Sequence, residues 1–276
     1  MLEFQMFRLK VHPTGQGRLF PEDLTRAEII SGVLRSLTSP QPQDGSRWHV
    51  GNLTPLDQTG LYFRIGRISR ATVGMYEEGV FQDQEFETAP YTHALLDTQL
   101  GICCIAKKAI LARSGQAIAN QFARLLNKSS RAHELEAEFE IDSIYDPEDL
   151  ISYLSRAYSI SKFMVSFKRP NPFDAEQDFQ RPMQNYLREA QGETGKTEIE
   201  GDSLKVDPLE SLTRAAAASG DNAVAHMKME AGESRIRKRL KENPVILSCE
   251  EVAEERQKQA LMEEIRETYH RIRGNE

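Results

Sequence analysis

The sequence predicts an α+β fold, a mostly antiparallel sheet with helices packed on it, plus a smaller mixed C-terminal part ending in a long charged helix. Two observations support this prediction. Between residues 91 and 170 the apolar patterns follow the order β-β-α-β-α-β, which suits helices packed on a mostly antiparallel sheet. Residues 250–274 carry apolar side chains at helical spacing among many charges, which indicates a helix with a narrow buried face.

The strands are predicted from short apolar runs and from alternation of apolar and polar residues. In chain order they are residues 7–11, 61–69, two runs within 94–108, then 135–145, 162–168, 223–230 and 244–249. The two runs within 94–108 predict a hairpin that turns near Thr98–Gly101. Residues 40–60 are rich in Pro, Gly, Asp and Asn, and we expect a loop there.

Helix starts are predicted where proline and acidic residues precede an apolar stripe. Proline fits the first helical turn, and acids face the positive end of the helix dipole. This pattern occurs at Pro21, at Asp146 as an N-cap, and at Asp207, whose helix should end at Gly220. Two further helices are predicted at residues 115–127 and 175–190.

The stretch KRPNPF, residues 168–173, is predicted to be a boundary between two parts of the chain. It contains two prolines and an asparagine, and the sequence pattern changes after it. We therefore expect an α+β domain at 1–170 and a mixed C-terminal region with the terminal helix at 171–276.

Composition and charge limit the classes of function. The formal net charge is −7, so binding to nucleic acid would need a local basic patch. The chain has three cysteines, an odd and low count that favours a reducing, cytoplasmic location over a disulfide framework. No apolar run is long enough to span a bilayer, so we expect no membrane association. No His or Cys spacing suits zinc, and we expect neither a metal site nor a cofactor.

Residues 190–197, AQGETGKT, match the relaxed pattern of a phosphate-binding loop. Such a loop must leave a strand and enter a helix, so that backbone N–H groups point at phosphate. Here the preceding residues look helical and the following ones begin no helix. We expect a helix exit followed by a flexible turn and a strand, with Lys196 solvated. Gly195, Lys196 and Thr197 stay weak candidates for a nucleotide site, and a nucleotide hydrolase stays an alternative function.

A nuclease is the other enzymatic alternative. Asp142, Asp146 and Asp149 cluster at a predicted strand-to-helix junction, and spaced carboxylates are the ligands that catalytic Mg²⁺ requires. No Asp/Glu-x-Lys follows them, and Asp146 and Asp149 already serve to start a helix. A binding protein without enzymatic activity is therefore favoured.

Basic residues form several groups in this acidic chain, mostly at predicted strand ends. They are Arg235, Arg237, Arg239 and Lys241, then Arg64, Arg67 and Arg70, and then Lys107 and Lys108. If these strand ends converge on one sheet edge, they could contact the phosphate backbone of DNA or RNA. The alternative is that each group is a solvated surface.

The helix predicted at 250–274 offers a second class of function. Its narrow apolar face suits packing on its own domain or a contact with another chain. A protein-interaction or self-associating subunit working through this helix is therefore the alternative to nucleic-acid binding.

Part of the sequence resembles uncharacterised bacterial and prophage proteins. The resemblance lies in YTHALLDTQLGICCIAKK, then GQAIANQFARLLN, then FEIDSIYDPEDLISYLSRAYSISKFMVSFKRPN, and covers roughly the middle third of the chain. Some of these proteins are encoded near phage-defence genes, and phage-exclusion DNA-binding proteins of the Rex A kind are a distant comparison. The resemblance implies a cytosolic accessory role in phage defence, with nucleic acid or a partner protein. It carries over no site residue.

Overall fold

The computed structural model describes residues 1–14, 24–38, 48–168, 187, 189, 190, 192 and 194–274. Its helices are α1 (Arg26–Leu37), α2 (Gly115–Lys128), α3 (Ser130–Glu134), α4 (Glu148–Arg156), α5 (Val206–Ser219) and α6 (Glu255–Arg273). A single 3-10 turn lies at Leu240–Glu242. The first strands are β1 (Leu2–Pro13), β2 (Trp48–Pro55), β3 (Gly60–Arg67), β4 (Ser69–Glu77), β5 (Val80–Thr88), β6 (Tyr91–Asp97) and β7 (Ile102–Ala106). They are followed by β8 (Ala137–Ser143), β9 (Ser159–Lys168), β10 (Thr194–Glu200), β11 (Asn222–Lys228), β12 (Ile236–Arg239) and β13 (Ile246–Cys249).

These strands form three antiparallel sheets. The largest has the order β13-β1-β7-β6-β3-β2, with β8 also paired to β1. A four-stranded sheet has the order β10-β9-β11-β12, and β4 pairs with β5 as a separate two-stranded ribbon. Every strand pairing among the described residues is antiparallel. The predicted α+β class, with its long terminal helix, is confirmed.

The seven-stranded sheet has a hydrophobic core on each face, because alternate residues of a strand point to opposite sides. On one face Phe7, Leu9 and Phe63 pack with residues of α1, α2 and α3. On the other face Phe4 and Met6 pack with residues of α4, α5 and α6 and with the inner face of the four-stranded sheet. The buried thiols of Cys103 and Cys104 lie in these cores, and burial raises the pKa of both.

Several predicted elements agree with the structure. The hairpin within 94–108 is β6–β7, and the helix at 115–127 is α2. The helix from Asp207 is α5, and Gly220 ends it in the left-handed conformation at φ 72°. The terminal helix is α6, and its apolar side chains are buried in the chain's own core. These are Leu261, Met262, Ile265, Tyr269 and Ile272, and the polar Thr268 is buried beside them.

The loop prediction for residues 40–60 is partly wrong, because Trp48–Pro55 within this range form β2. Glycine and asparagine in WHVGNLTP indicated a loop, yet the segment pairs with β3 as an edge strand. The pairing shifts register between Gly51 and Thr54, and Asn52 adopts φ 53° at this irregularity. An edge strand with a bulge tolerates residues that would weaken a central strand.

One predicted helix start differs from the structure in its cap residue, and another lies outside the described residues. Asp146 is not the N-cap of α4, since Pro147 holds that position, but Asp146 Oδ1 accepts a hydrogen bond from the Glu148 backbone N–H at 3.0 Å. Pro21 lies outside the described residues, and α1 begins at Arg26 with Thr25 as its cap. Most of the helix predicted at 175–190 lies outside them as well.

The predicted division into 1–170 and 171–276 does not correspond to a division of the sheets. In the seven-stranded sheet β13 pairs with β1, and in the four-stranded sheet β10 and β11 both pair with β9. Strand pairing therefore crosses residue 170 in both sheets. A change in sequence pattern reports local composition, whereas strand pairing joins segments that are distant in sequence.

Candidate functional site

Six basic and aromatic residues meet at one end of the seven-stranded sheet. Two strands supply most of them: Tyr62 and Arg64 lie on β3, and Tyr91 and His93 lie on β6. Arg64 stands opposite His93 in the register, and Gly66 stands opposite Tyr91, so these side chains share one face. Lys108 follows β7, and Lys258 lies on α6 with its ammonium over the Tyr62 ring. We call these six residues, Tyr62, Arg64, Tyr91, His93, Lys108 and Lys258, the Tyr91 cluster.

Tyr91 brings together two of the basic groups singled out in the sequence. The Arg64 guanidinium carbon lies 4.3 Å from the centroid of the Tyr91 ring. Lys108 Nζ lies 5.0 Å from the same centroid. Both distances allow attraction between a cation and the aromatic ring. The Tyr91 side chain is 37 % exposed, so this contact is open to solvent.

Tyr62 forms the second centre of the cluster and is buried. Its hydroxyl oxygen lies 2.7 Å from His93 Nδ1 and accepts a hydrogen bond from Arg64 Nε at 3.3 Å. Lys258 Nζ lies 4.5 Å from the centroid of the Tyr62 ring. The helix α6 therefore contributes a third cation to a surface otherwise built by strands.

Gly66 allows this arrangement because it leaves room for the start of β6. A Cβ atom at Gly66 would lie 2.8 Å from the Pro90 carbonyl oxygen and 3.0 Å from Tyr91 Cβ. Both distances are shorter than van der Waals contact. A larger residue would therefore push Tyr91 away from β3 and from Arg64.

The three cations of the cluster have no acidic partner among the residues that the structure describes. Within the described part of the chain, no carboxylate oxygen lies within 4.0 Å of Arg64, Lys108 or Lys258. Burial lowers the pKa of His93, and the charges of Arg64, Lys108 and Lys258 lower it further. The imidazole therefore stays neutral near pH 7, and the positive charge of the site resides on the three cations.

The other basic residues predicted for strand ends do not converge on this site. Arg67 points to the opposite face of β3, where its Nη2 donates to the Ile110 carbonyl oxygen at 3.0 Å. Arg70 lies on the ribbon opposite Glu87. Lys107 Nζ is 3.1 Å from Glu3 Oε2. These groups therefore do not all meet at one sheet edge, because Arg67 and Lys107 have other partners and Arg70 lies on a separate ribbon.

A second basic surface lies on the four-stranded sheet. Arg235, Arg237 and Arg239 occupy alternate positions along β12 and the residue before it, and all three are exposed. They point to one side while Ile236 and Lys238 point to the other. We call these three residues the arginine row. Lys241 lies in the 3-10 turn beyond it, with Nζ 6.0 Å from the Tyr145 ring centroid.

The last four residues of the stretch that matches a phosphate-binding loop, Thr194 to Thr197, lie in a strand. Gly195, Lys196 and Thr197 belong to β10, which pairs with β9. A Cβ atom at Gly195 would collide with the Phe167 ring, so this glycine serves close packing and not a flexible turn. Lys196 Nζ lies 3.1 Å from Glu198 Oε2, and hydrogen bonds from Lys162 and Lys196 lower the pKa of Glu198 to about 2. No helix follows at the place where a nucleotide phosphate would need one.

The acids considered for a nuclease serve different purposes. Asp142 Oδ2 is 3.0 Å from the ammonium of Lys10. Asp146 Oδ1 accepts a hydrogen bond from the Glu148 backbone N–H in the first turn of α4. Asp149 lies in that first turn and is exposed. Among the residues with described positions, no group of three or more His, Cys, Asp or Glu side chains is arranged to hold a metal ion.

Four residues of the Tyr91 cluster were not predicted as site residues. Tyr62 and Arg64 alternate on a predicted strand, and Tyr91 and His93 alternate just before another one, which is a usable signal. His93 is half-buried against Tyr62. Lys258 gave no signal, because its place depends on how α6 packs.

Comparison with known proteins gives no family for this chain. A scan against protein-family models found no match, and a search of curated proteins found no relative. In the part of the chain that the structure covers, no helix combines the length and the apolar character needed to cross a membrane.

Proposed function

We propose that this chain binds the phosphate backbone of nucleic acid through the Tyr91 cluster. The observation that carries the proposal is the convergence of Arg64, Lys108 and Lys258 on two tyrosines, with no carboxylate of the described residues within 4.0 Å of these cations. Cations held close together repel one another, and an anion with several charges removes that repulsion. A nucleic-acid backbone supplies such charges at regular spacing.

The chemistry of the cluster suits phosphate contact without recognition of sequence. Arginine and lysine side chains donate to phosphate oxygens and fix the position of a strand, but they do not identify its bases. Binding of this kind weakens as salt rises, because counterions compete for the phosphates. The accessory role in phage defence and the cytoplasmic location remain predictions that accord with this proposal.

The alternative of self-association through α6 has less support. The apolar face of α6 is covered by the chain's own core, and Arg266 on the same helix contacts Asp57 and Asp97. A partner chain could reach only the charged outer face. The nucleotide-hydrolase and nuclease alternatives lack a phosphate-binding loop and a metal-binding set among the described residues.

The double substitution Lys108→Ala and Lys258→Ala should weaken nucleic-acid binding about tenfold and reduce the salt slope of the affinity by about 2. Each lysine lost removes about one phosphate contact. The measurement is fluorescence anisotropy of labelled duplex DNA, single-stranded DNA and RNA at two salt concentrations.

The matched control is Lys107→Ala, which removes a neighbouring lysine already paired with Glu3. We expect its affinity and salt slope to equal those of the unaltered chain. Equal weakening by Lys107→Ala and by the double substitution would contradict a role specific to the cluster. Absence of binding to all three probes at low salt would refute the proposed function.

A further inference from the structure

The β4–β5 ribbon, residues 69–88, is a two-stranded sheet whose strands pair only with each other among the described strands. Its tight turn has Glu78 at φ 49° and Gly79 at φ 86°. An isolated two-stranded ribbon is only marginally stable in water. This one also exposes apolar side chains, including Phe81 at 82 % and Phe86 at 40 %. Both its outer edges and its apolar side chains are therefore available to a partner.

The two faces of the ribbon differ in chemistry. Asp83, Glu85 and Glu87 occupy alternate positions of β5 and share one face. We call these three residues the acid row. The other face carries Phe86 with Val73 and Met75 of β4, while Phe81 near the turn and Arg70 opposite Glu87 share the face of the acid row. An acceptor for this ribbon should therefore have a cationic row on one face and an apolar residue on the other.

The free edge of the four-stranded sheet has these properties. The edge strand β12 pairs with β11 on one side only, among the strands that the structure describes. The arginine row follows the same alternate spacing as the acid row, so successive charges are about 7 Å apart in both. On the opposite face of β12 lies Ile236, which is partly buried.

We propose that the ribbon of one copy of this chain adds to the four-stranded sheet of a second copy, with β5 antiparallel to β12. Setting Glu85 opposite Arg237 places Asp83 opposite Arg239 and Glu87 opposite Arg235. The same register puts Phe86 beside Ile236 on the other face. A parallel arrangement with Glu85 opposite Arg237 would place Phe86 beside Lys238 instead. The antiparallel register therefore pairs opposite charges on one face and two apolar side chains on the other.

A second copy is the favoured occupant because the two complementary rows belong to the same chain. Each copy has one ribbon and one free β12 edge, so two copies can exchange ribbons about a two-fold axis. Backbone hydrogen bonds along the added strand supply affinity, and the charge pairs select the register. This interface uses neither α6 nor the Tyr91 cluster.

Two charge-reversed variants test the interface. One replaces the acid row by Asp83→Lys, Glu85→Lys and Glu87→Lys, and the other replaces the arginine row by Arg235→Glu, Arg237→Glu and Arg239→Glu. Sedimentation equilibrium from about 1 to 100 µM should show a dimer for the unaltered chain, twice the monomer mass of 31.3 kDa. Each variant alone should dissociate at least about tenfold more readily, because like charges then face each other.

An equimolar mixture of the two variants should restore the dimer. In the mixture each lysine row meets a glutamate row, and each remaining acid row meets an arginine row. The control Glu77→Lys with Glu78→Lys changes two acids of the same ribbon outside the acid row and should leave the dimer unchanged. Circular dichroism establishes that each variant is folded.

Several outcomes would overturn the proposal. They are a monomeric unaltered chain over the whole concentration range, unchanged dimerisation of either variant, and a mixture that stays monomeric. Weaker nucleic-acid binding by the arginine-row variant, with dimerisation unaffected, would assign that row to nucleic acid instead of the ribbon.

Discussion

Replacing Lys10 with methionine should lower the free energy of unfolding by about 3–5 kcal/mol. Lys10 is only 4 % exposed, and its Nζ lies 3.0 Å from Asp142 Oδ2 and 3.8 Å from Asp221 Oδ1. Methionine keeps the length and the apolar part of the side chain but removes the ammonium. Two carboxylates in the interior then lose the positive charge of Lys10, and burial makes the loss of such a charge partner costly. Urea unfolding followed by circular dichroism measures the loss.

The matched control is Lys128→Met, which changes an exposed lysine in the last turn of α2. We expect a change within about 0.5 kcal/mol there. The double variant Lys10→Met with Asp142→Leu should recover part of the stability, because removing a whole pair costs less than removing one member. A loss below about 1 kcal/mol for Lys10→Met would show that this ion pair does not stabilise the fold.

Replacing Arg266 with methionine should cost about 2–4 kcal/mol, since this side chain fixes α6 to the seven-stranded sheet. Arg266 Nε donates to Asp97 Oδ2 at 2.7 Å, and its two Nη atoms donate to Asp57 at 2.8 Å and 3.0 Å. Asp97 is 2 % exposed, so the loss of this buried contact accounts for most of the expected effect. Asp57 is partly exposed, and solvent reduces its share of the effect. Urea unfolding at pH 7 measures the difference from the unaltered chain.

The matched control for this prediction is Arg271→Met, which changes an exposed arginine on the same helix and should leave the free energy of unfolding nearly unchanged.

The effect of Arg266→Met should also depend on pH. Hydrogen bonds from Arg266 hold the pKa of Asp57 well below its usual range. A carboxyl group with a lowered pKa stabilises the fold above its unfolded pKa and loses that contribution as pH falls. The difference in the free energy of unfolding between the unaltered chain and Arg266→Met should therefore shrink as the pH falls from about 5 towards 3. A difference that grows with acidity would contradict the assigned ion pairs.

Local sequence patterns predicted the elements in which apolar and polar residues repeat regularly within one segment. The hairpin at 94–108, the helix at 115–127 and the terminal helix each show the period of their structure. The strand β2 was missed because Gly51 and Asn52 sit at a bulge of an edge strand, where pairing with β3 outweighs local preference.

The candidate site was predictable only in part. Arg64 and Lys108 were recognised as basic groups, but their meeting at Tyr91 depends on β3, β6 and β7 being neighbours in the sheet. Strand order is a long-range property that one sequence does not contain. The same sequence pattern selected Arg67 and Lys107, yet Arg67 donates to the Ile110 carbonyl oxygen and Lys107 pairs with Glu3.

The position of β1 has a consequence for how the protein is made. One side of β1 is completed by β8 and then by β13, so Leu2 pairs with Cys249. A ribosome delivers β13 only after all of the other described strands, β1 included. Until then the hydrogen-bonding groups of residues 2–5 on that side have no strand to pair with in the nascent chain. Such late closure slows folding and leaves an open edge to which other unfinished chains can attach. Production at low temperature, or with chaperones that bind nascent chains, should therefore raise the yield of folded protein.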